Sequence, residues 1–200
     1  MPVIDIFEQN PVLENDRVLL RPLQETDYEH LLPFSLNEPD LWYYGLDTAA
    51  GEENLKKYIS NAIKNRNSKI EFPFIVFDKK EKAYAGSTRF YDIRQDYLTT
   101  EIGYTFFGKD FQHTGVNRHC KLLMLTYVFD VWGLERCGLR ADARNVKSIK
   151  AMKAIGCVQE GIQRSHMPAL TGGRRDSIVM SILKKEWEMG KKELLEGITR

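Results

Sequence analysis

The stretch that most constrains this chain runs from Gly108 to Trp132, GKDFQHTGVNRHCKLLMLTYVFDVW. It opens as a polar loop punctuated by glycine and becomes an apolar helix. Leu122, Leu125, Phe129 and Trp132 recur at helical spacing, and Leu123, Met124 and Val128 widen the stripe to that of a buried helix. Asn117 reads as the N-cap, since its side-chain oxygen can accept from the free amides of the first turn. Gly115, just upstream, allows a sharp turn and a close approach of backbone to ligand. Loop amides and a helix N-terminus then converge on one point, an arrangement that suits a phosphate. The stretch is not a P-loop, because GxxxxGK[ST] is absent and Lys109 stands alone. Thr99 to Phe107, immediately before it, reads as a β-strand.

The whole chain, at 200 residues, suits one domain with a sizeable core. Its 29 basic and 28 acidic residues leave a net charge of +1, which gives no electrostatic reason to expect nucleic acid or an anionic membrane as partner. No apolar run approaches the ~20 residues that span a bilayer. The opening MPVIDIFEQN lacks the basic-then-apolar order of a signal peptide. Cys120, Cys137 and Cys157 match neither a disulfide framework nor a CxxC metal spacing, so a reducing cytoplasm and no metal are expected.

Residues 1–12 read as a loose arm, 13–183 as the domain and 184–200 as a charged peripheral tail. Arg17 to Leu23 alternates like a first strand, and a short helix through His30 and Leu31 is expected to stop near Pro33. The segment from Asn37 to Thr48 carries Trp42, Tyr43 and Tyr44, rings that either plug the core or line a pocket. Glu52 to Arg66 is an amphipathic helix through Leu55, Ile59 and Ile63. Phe72–Phe77 and Tyr84–Ile93 form a hairpin across a charged turn and continue as a meander into the Thr99 strand. Cys137 to Ala141 is a short strand, Val146 to Ile155 a helix closed by Gly156, and Val158–Met167 pairs with Asp176–Leu183 as a final hairpin.

Glu101-Ile102-Gly103-Tyr104 followed by Gln112-His113-Thr114-Gly115-Val116-Asn117 resembles the acetyl-CoA site of the GCN5-related N-acetyltransferases, in the branch of the ribosomal-protein N-terminal acetyltransferases. Asn117 departs from the glycine or alanine usual at the end of that loop. Asn145-Val146-Lys147-Ser148 opening a helix, and Ile155-Gly156 leading to a strand, match a second motif in the expected order. The resemblance spans Leu13 to Leu183. It implies an α/β fold: a mixed, mostly antiparallel sheet with helices on both faces, in which a parallel strand pair splays apart to admit CoA. It also implies an acetyltransferase acting on a primary amine by direct attack, with acetyl-CoA as co-substrate.

Such a transfer needs the donor held, a proton removed from the ammonium, and the oxyanion and departing thiolate stabilised. By resemblance the backbone of Gln112, His113, Thr114, Gly115, Val116 and Asn117 would bind pyrophosphate, and Tyr104, Thr105 and Phe106 would line the pantetheine edge. Asn145 would touch the pantetheine arm, cap its own helix, or both. Glu101 is the first candidate base, or else a glutamate paired with an arginine such as Arg89. His166 is the second, its ordinary pKa suiting the task. The tyrosine many members use for the thiolate is missing near Gly156-Cys157-Val158, and Ser148 matches the serine that replaces it, unless it only completes the cap. Arg164, Arg174, Arg175 and Asp176 either recognise the acceptor or pair across the hairpin. A non-catalytic acyl-CoA-binding module and a structural domain are the competing readings. Dimerisation through the C-terminal strands is expected by analogy.

Overall fold

The computed structural model describes residues 4–199. Eight strands form one sheet in the order β1-β2-β3-β4-β5-β6-β8-β7. They are β1 (Leu13–Glu14), β2 (Val18–Pro22), β3 (Phe72–Asp78), β4 (Ala83–Arg94), β5 (Thr99–Phe107), β6 (Arg136–Asp142), β7 (Val158–Pro168) and β8 (Arg174–Leu183). Every neighbouring pair is antiparallel except β5 and β6.

That parallel contact is brief. Thr99 pairs with Arg136, Thr100 with Cys137 and Glu101 with Gly138, and there it ends. From Ile102 onward β5 remains paired to β4 while its other edge is free. A bulge accompanies the parting: Arg89 faces Gly103 and Ser87 faces Phe106, so Tyr104 and Thr105 together oppose Thr88. Tyr104 holds a left-handed φ of 49° to make it. Opposite the end of β5, a Cβ on Gly86 would lie 2.0 Å from the Phe106 carbonyl oxygen, so close an approach of two strands needs glycine.

The central helix, α4 (Val116–Thr126), packs on one face of the sheet and continues into a π-helical turn over Tyr127–Val131. Its apolar stripe meets Phe90, Ile102, Leu139, Ile178 and Met180 in the larger core, which also takes Met152 of α5 (Val146–Ala154). The opposite face is covered over β2–β4 by α2 (Tyr28–Asn37) and α3 (Glu52–Asn67), through Leu31, Leu55, Tyr58, Ile59, Ile75 and Phe106. Strand β3 is therefore buried on both faces, as its near-continuous FPFIVF run requires. Trp42 plugs this second core, its ring 4.9 Å from that of Phe106, whereas Tyr43 is exposed.

Three sequence expectations are corrected. Helix α2 does not stop at Pro33 but runs through it to Asn37. Pro33 lies at the sixth position, where burial of Leu31 and Ser35 outweighs one lost backbone bond. The described part of the arm is anchored, residues 1–3 lying outside the described residues: α1 (Ile6–Gln9) is capped by the Asp5 side chain and buries Ile6 completely. The charged tail is likewise docked, through Trp187 and Leu195, both in the main core. Among the described residues no helix is long and apolar enough to cross a membrane.

Candidate active site

The site forms where β5 and β6 part. On one side of the gap is the N-terminus of α4, and its cap differs from expectation. Gly115, at φ +94°, is the N-cap and provides no side-chain bond, while Asn117 is already inside the first turn. A left-handed turn suits glycine and leaves asparagine to follow as an ordinary helical residue. Asn117 Oδ1 is buried without a partner. His113 is also left-handed, at φ 64°. Among the described residues, none of the backbone amides from His113 through Asn117 donates a hydrogen bond, although those of Phe111, Gln112, Arg118 and His119 all do. Five consecutive free amides at an uncapped helix end make a concave donor surface that fits an anion such as pyrophosphate. Gln112 turns away from it, donating its side-chain amide to the Phe107 carbonyl at 3.0 Å.

Helix α5 is built the other way. Asn145 Oδ1 accepts from the Ser148 amide at 3.0 Å, so its end is capped. The Asn145 side-chain nitrogen and the half-buried Ser148 hydroxyl make no bond among the described residues, so both can meet a ligand. Tyr104, Thr105 and Phe106 lie on the free stretch of β5. Tyr104 stacks on Arg89, its carbonyl accepts from the Tyr58 hydroxyl at 3.2 Å, and Phe106 belongs to the second core. Thr105 Oγ1 points toward α4, accepting from Lys121 Nζ at 3.1 Å.

The face of the sheet away from α4 carries polar side chains just where α2 and α3 no longer cover it. Glu101, Tyr91 and Arg140 come together there. The Tyr91 hydroxyl donates to Glu101 Oε2 and Arg140 Nη2 to Oε1, each at 2.5 Å. Burial, and then the Glu101 charge, push the Tyr91 phenol well above its ordinary pKa, so it remains a donor. The expected Arg89 partnership is absent: Arg89 pairs with Glu71 at 2.7 Å, sandwiched between the rings of Tyr58 and Tyr104. His166 Nδ1 lies 3.0 Å from Ser177 Oγ. Burial lowers the His166 pKa, and the nearby Arg140 and Arg175 charges lower it further. Arg175 Nη1 donates to the Tyr44 carbonyl at 3.2 Å, tying the aromatic segment to β8 as a partial roof. The hairpin arginines therefore do not form the expected cross-strand ion pairs: Arg174 donates to Ser165, and Asp176 accepts from the Ser165 amide. His113 is exposed in the loop.

Sequence reasoning missed Tyr91 and Arg140 as site residues. Nothing local marks them, since their partner Glu101 lies on a neighbouring strand. The three cysteines are buried, and burial raises the Cys157 thiol to about 12, so no thiolate nucleophile is available.

A strand pair splayed beside an uncapped helix, with a polar face behind it, fits the donor site of an acyl-CoA-dependent N-acetyltransferase. Residues 17–158 match the model of the acetyltransferase (GNAT) domain, so the chain belongs to the GCN5-related N-acetyltransferase family. It is 26% identical over 174 residues to the uncharacterized N-acetyltransferase YoaA of Bacillus subtilis, covering 87% of this chain and 97% of that one. Its structure resembles a GCN5-related N-acetyltransferase from Brucella melitensis, with a TM-score of 0.87 at 25% identity over 96% of this chain and 86% of that one. The ribosomal-protein-S5-alanine acetyltransferase from Vibrio fischeri shares the fold, with a TM-score of 0.72 at 22% identity over 88% and 98% of the two chains.

Proposed function

We propose that this acetyltransferase binds acetyl-CoA across α4 and the free edge of β5, and acetylates a primary amine presented from the polar face behind it. The observation that carries this reading is the run of free amides from His113 to Asn117 at the mouth of the strand gap. Acetyl-CoA supplies the activated acyl group. The chain supplies the pyrophosphate seat, the strand edge for the pantetheine amides, and contacts from Asn145 and Ser148.

Of the two candidate bases the geometry favours His166. Both Glu101 oxygens already accept bonds from Tyr91 and Arg140, so the carboxylate is engaged on both sides and acts as a positioning group. In the Nδ1–H tautomer, with Ser177 Oγ accepting, His166 Nε2 carries a free lone pair. The lowered pKa keeps that imidazole neutral at pH 7 and ready to take the ammonium proton. Ser148, at the start of α5, would protonate the departing thiolate, which the helix end also favours.

Two variants test the reading. Gly115→Asp puts a charged side chain at a left-handed position beside the amides, and should abolish the thermal stabilisation given by acetyl-CoA; unchanged stabilisation would sink the pyrophosphate seat. His166→Gln should lower kcat about 10²-fold or more while sparing acetyl-CoA binding. The wild-type rate should fall with pH only below the ordinary imidazole value of 6.5, because the folded pKa is depressed. Glu101→Gln losing more than His166→Gln would reassign the base.

A further inference from the structure

The polar face holds more guanidinium than carboxylate. Arg89 is taken by Glu71, Arg140 by Glu101, and Arg144 by Asp142 through Nε at 2.9 Å and Nη2 at 2.7 Å. That pairing leaves Arg175. It is 4% exposed, yet its nearest carboxylate oxygen, Asp142 Oδ2, is 3.9 Å away and already bonded to Arg144. Its bonds go to neutral oxygens, Ser177 Oγ and the Tyr44 carbonyl, both at 3.2 Å. A buried cation without its own counter-ion is costly unless an anion joins it.

The remaining donors point the same way. Among the described residues Arg140 Nε is buried without a partner, as are Arg89 Nε and Nη2. The buried side-chain oxygens that lack partners among the described residues are Asp78 Oδ2, at the far end of β3, and Asn117 Oδ1, on α4; neither is on this face. Among its buried groups the face therefore has spare donors and no spare carboxylate oxygen, and the one carboxylate left over near Tyr104, Asp47, is exposed to solvent. Both Arg140 and Arg175 act on His166, so the surplus charge lies beside the proposed base.

We propose that the acceptor is an amine carrying a carboxylate, held by Arg175 with Arg140 as second donor. This rests on the transfer reading only for the place of the acceptor. A polyamine fits badly, because its second ammonium would meet guanidinium groups whose carboxylates are all engaged. Two sources carry the required chemistry: a free amino acid, and a peptide N-terminus with an acidic residue beside it.

The test measures binding by calorimetry in the presence of CoA, and turnover by thiol release with acetyl-CoA, on the full chain. The probes are L-alanine against L-alaninamide, alanyl-aspartate amide against alanyl-asparagine amide, and putrescine. At least about tenfold tighter binding of a carboxylate member over its neutral mate is expected. The pair that shows it identifies the source. Arg175→Met should abolish that difference, and Arg175→Lys, which keeps the charge but loses the fork, should reduce it; retained acetyl-CoA stabilisation reports that each variant is folded. Equal binding of both mates, tighter binding of putrescine, no binding of either carboxylate probe, or discrimination that survives Arg175→Met would overturn the inference. Discrimination without turnover would uphold it and overturn the transfer reading, whereas turnover without discrimination would do the reverse.

Discussion

Lys121 shows how much one residue's surroundings can change its chemistry. It lies in the apolar helix, 5% exposed, and donates to Thr105 Oγ1 with no carboxylate nearby. Desolvation pulls its pKa from 10.5 down to about 8. Below pH 8 both folded and unfolded chains carry the proton, so the full cost of burying it is present. Between pH 8 and 10.5 the unfolded chain keeps a proton that the folded chain has released, and stability rises with pH through that window. Lys121→Met should therefore stabilise the protein at pH 7, by about 3 kcal/mol at most. Melting curves of both proteins from pH 7 to 10.5 should show the gain shrinking as pH rises. A constant gain would mean that burial does not shift the Lys121 pKa, the folded chain keeping its proton as long as the unfolded one does. In sequence this lysine is indistinguishable from one on a solvated helix edge, because burial depends on the strands that close over it.

At the scale of elements, much of the design was legible. Hydrophobic periodicity placed α3, α4, α5 and the hairpins, since those patterns follow from local geometry. The helix ends were less so: Asn145, open between a cap and a pantetheine contact, does cap its helix, but Gly115 displaced Asn117 because the left-handed turn lies two residues before the expected side-chain cap. Side-chain pairings across strands were not legible. Glu101 pairs with Arg140 rather than Arg89 because β6 joins β5 only as far as Gly138, which brings Arg140 beside the carboxylate. Gly138 makes this possible: a Cβ there would be 2.9 Å from Glu101 Cγ. Gly138→Ala should force Glu101 off Tyr91 and Arg140, costing about 1–3 kcal/mol of stability. Its kcat should fall with little change in acetyl-CoA affinity, since the donor seat is on α4. Equal loss of both would mean that the strand gap itself has shifted.

The whole molecule uses its C-terminus as a brace across the helical face. Composition suggested a solvated tail because lysine and glutamate dominate it, and two apolar anchors decide otherwise. Trp187 is 1% exposed, packs with its ring 5.5 Å from that of Phe129 and donates Nε1 to Asp130 at 3.0 Å. Leu195 is fully buried beyond the kink at Gly190, whose φ of 125° turns the chain back onto the core. Lys191 then reaches the Gly156 carbonyl at 2.6 Å, joining the brace to the end of α5. These contacts hold the C-terminal ends of both site helices, while the ligand-facing N-terminal ends remain free. Trp187→Ala should accordingly cost about 3–5 kcal/mol, as for a buried aromatic elsewhere. For a chain of this size that lowers the melting temperature by roughly 6–20 °C. Below the new midpoint acetyl-CoA should bind as tightly as before, because the amides at the opposite end of α4 are untouched. A weakened affinity with little loss of stability would instead mean that the brace sets the angle of α4 and, through it, the shape of the donor seat.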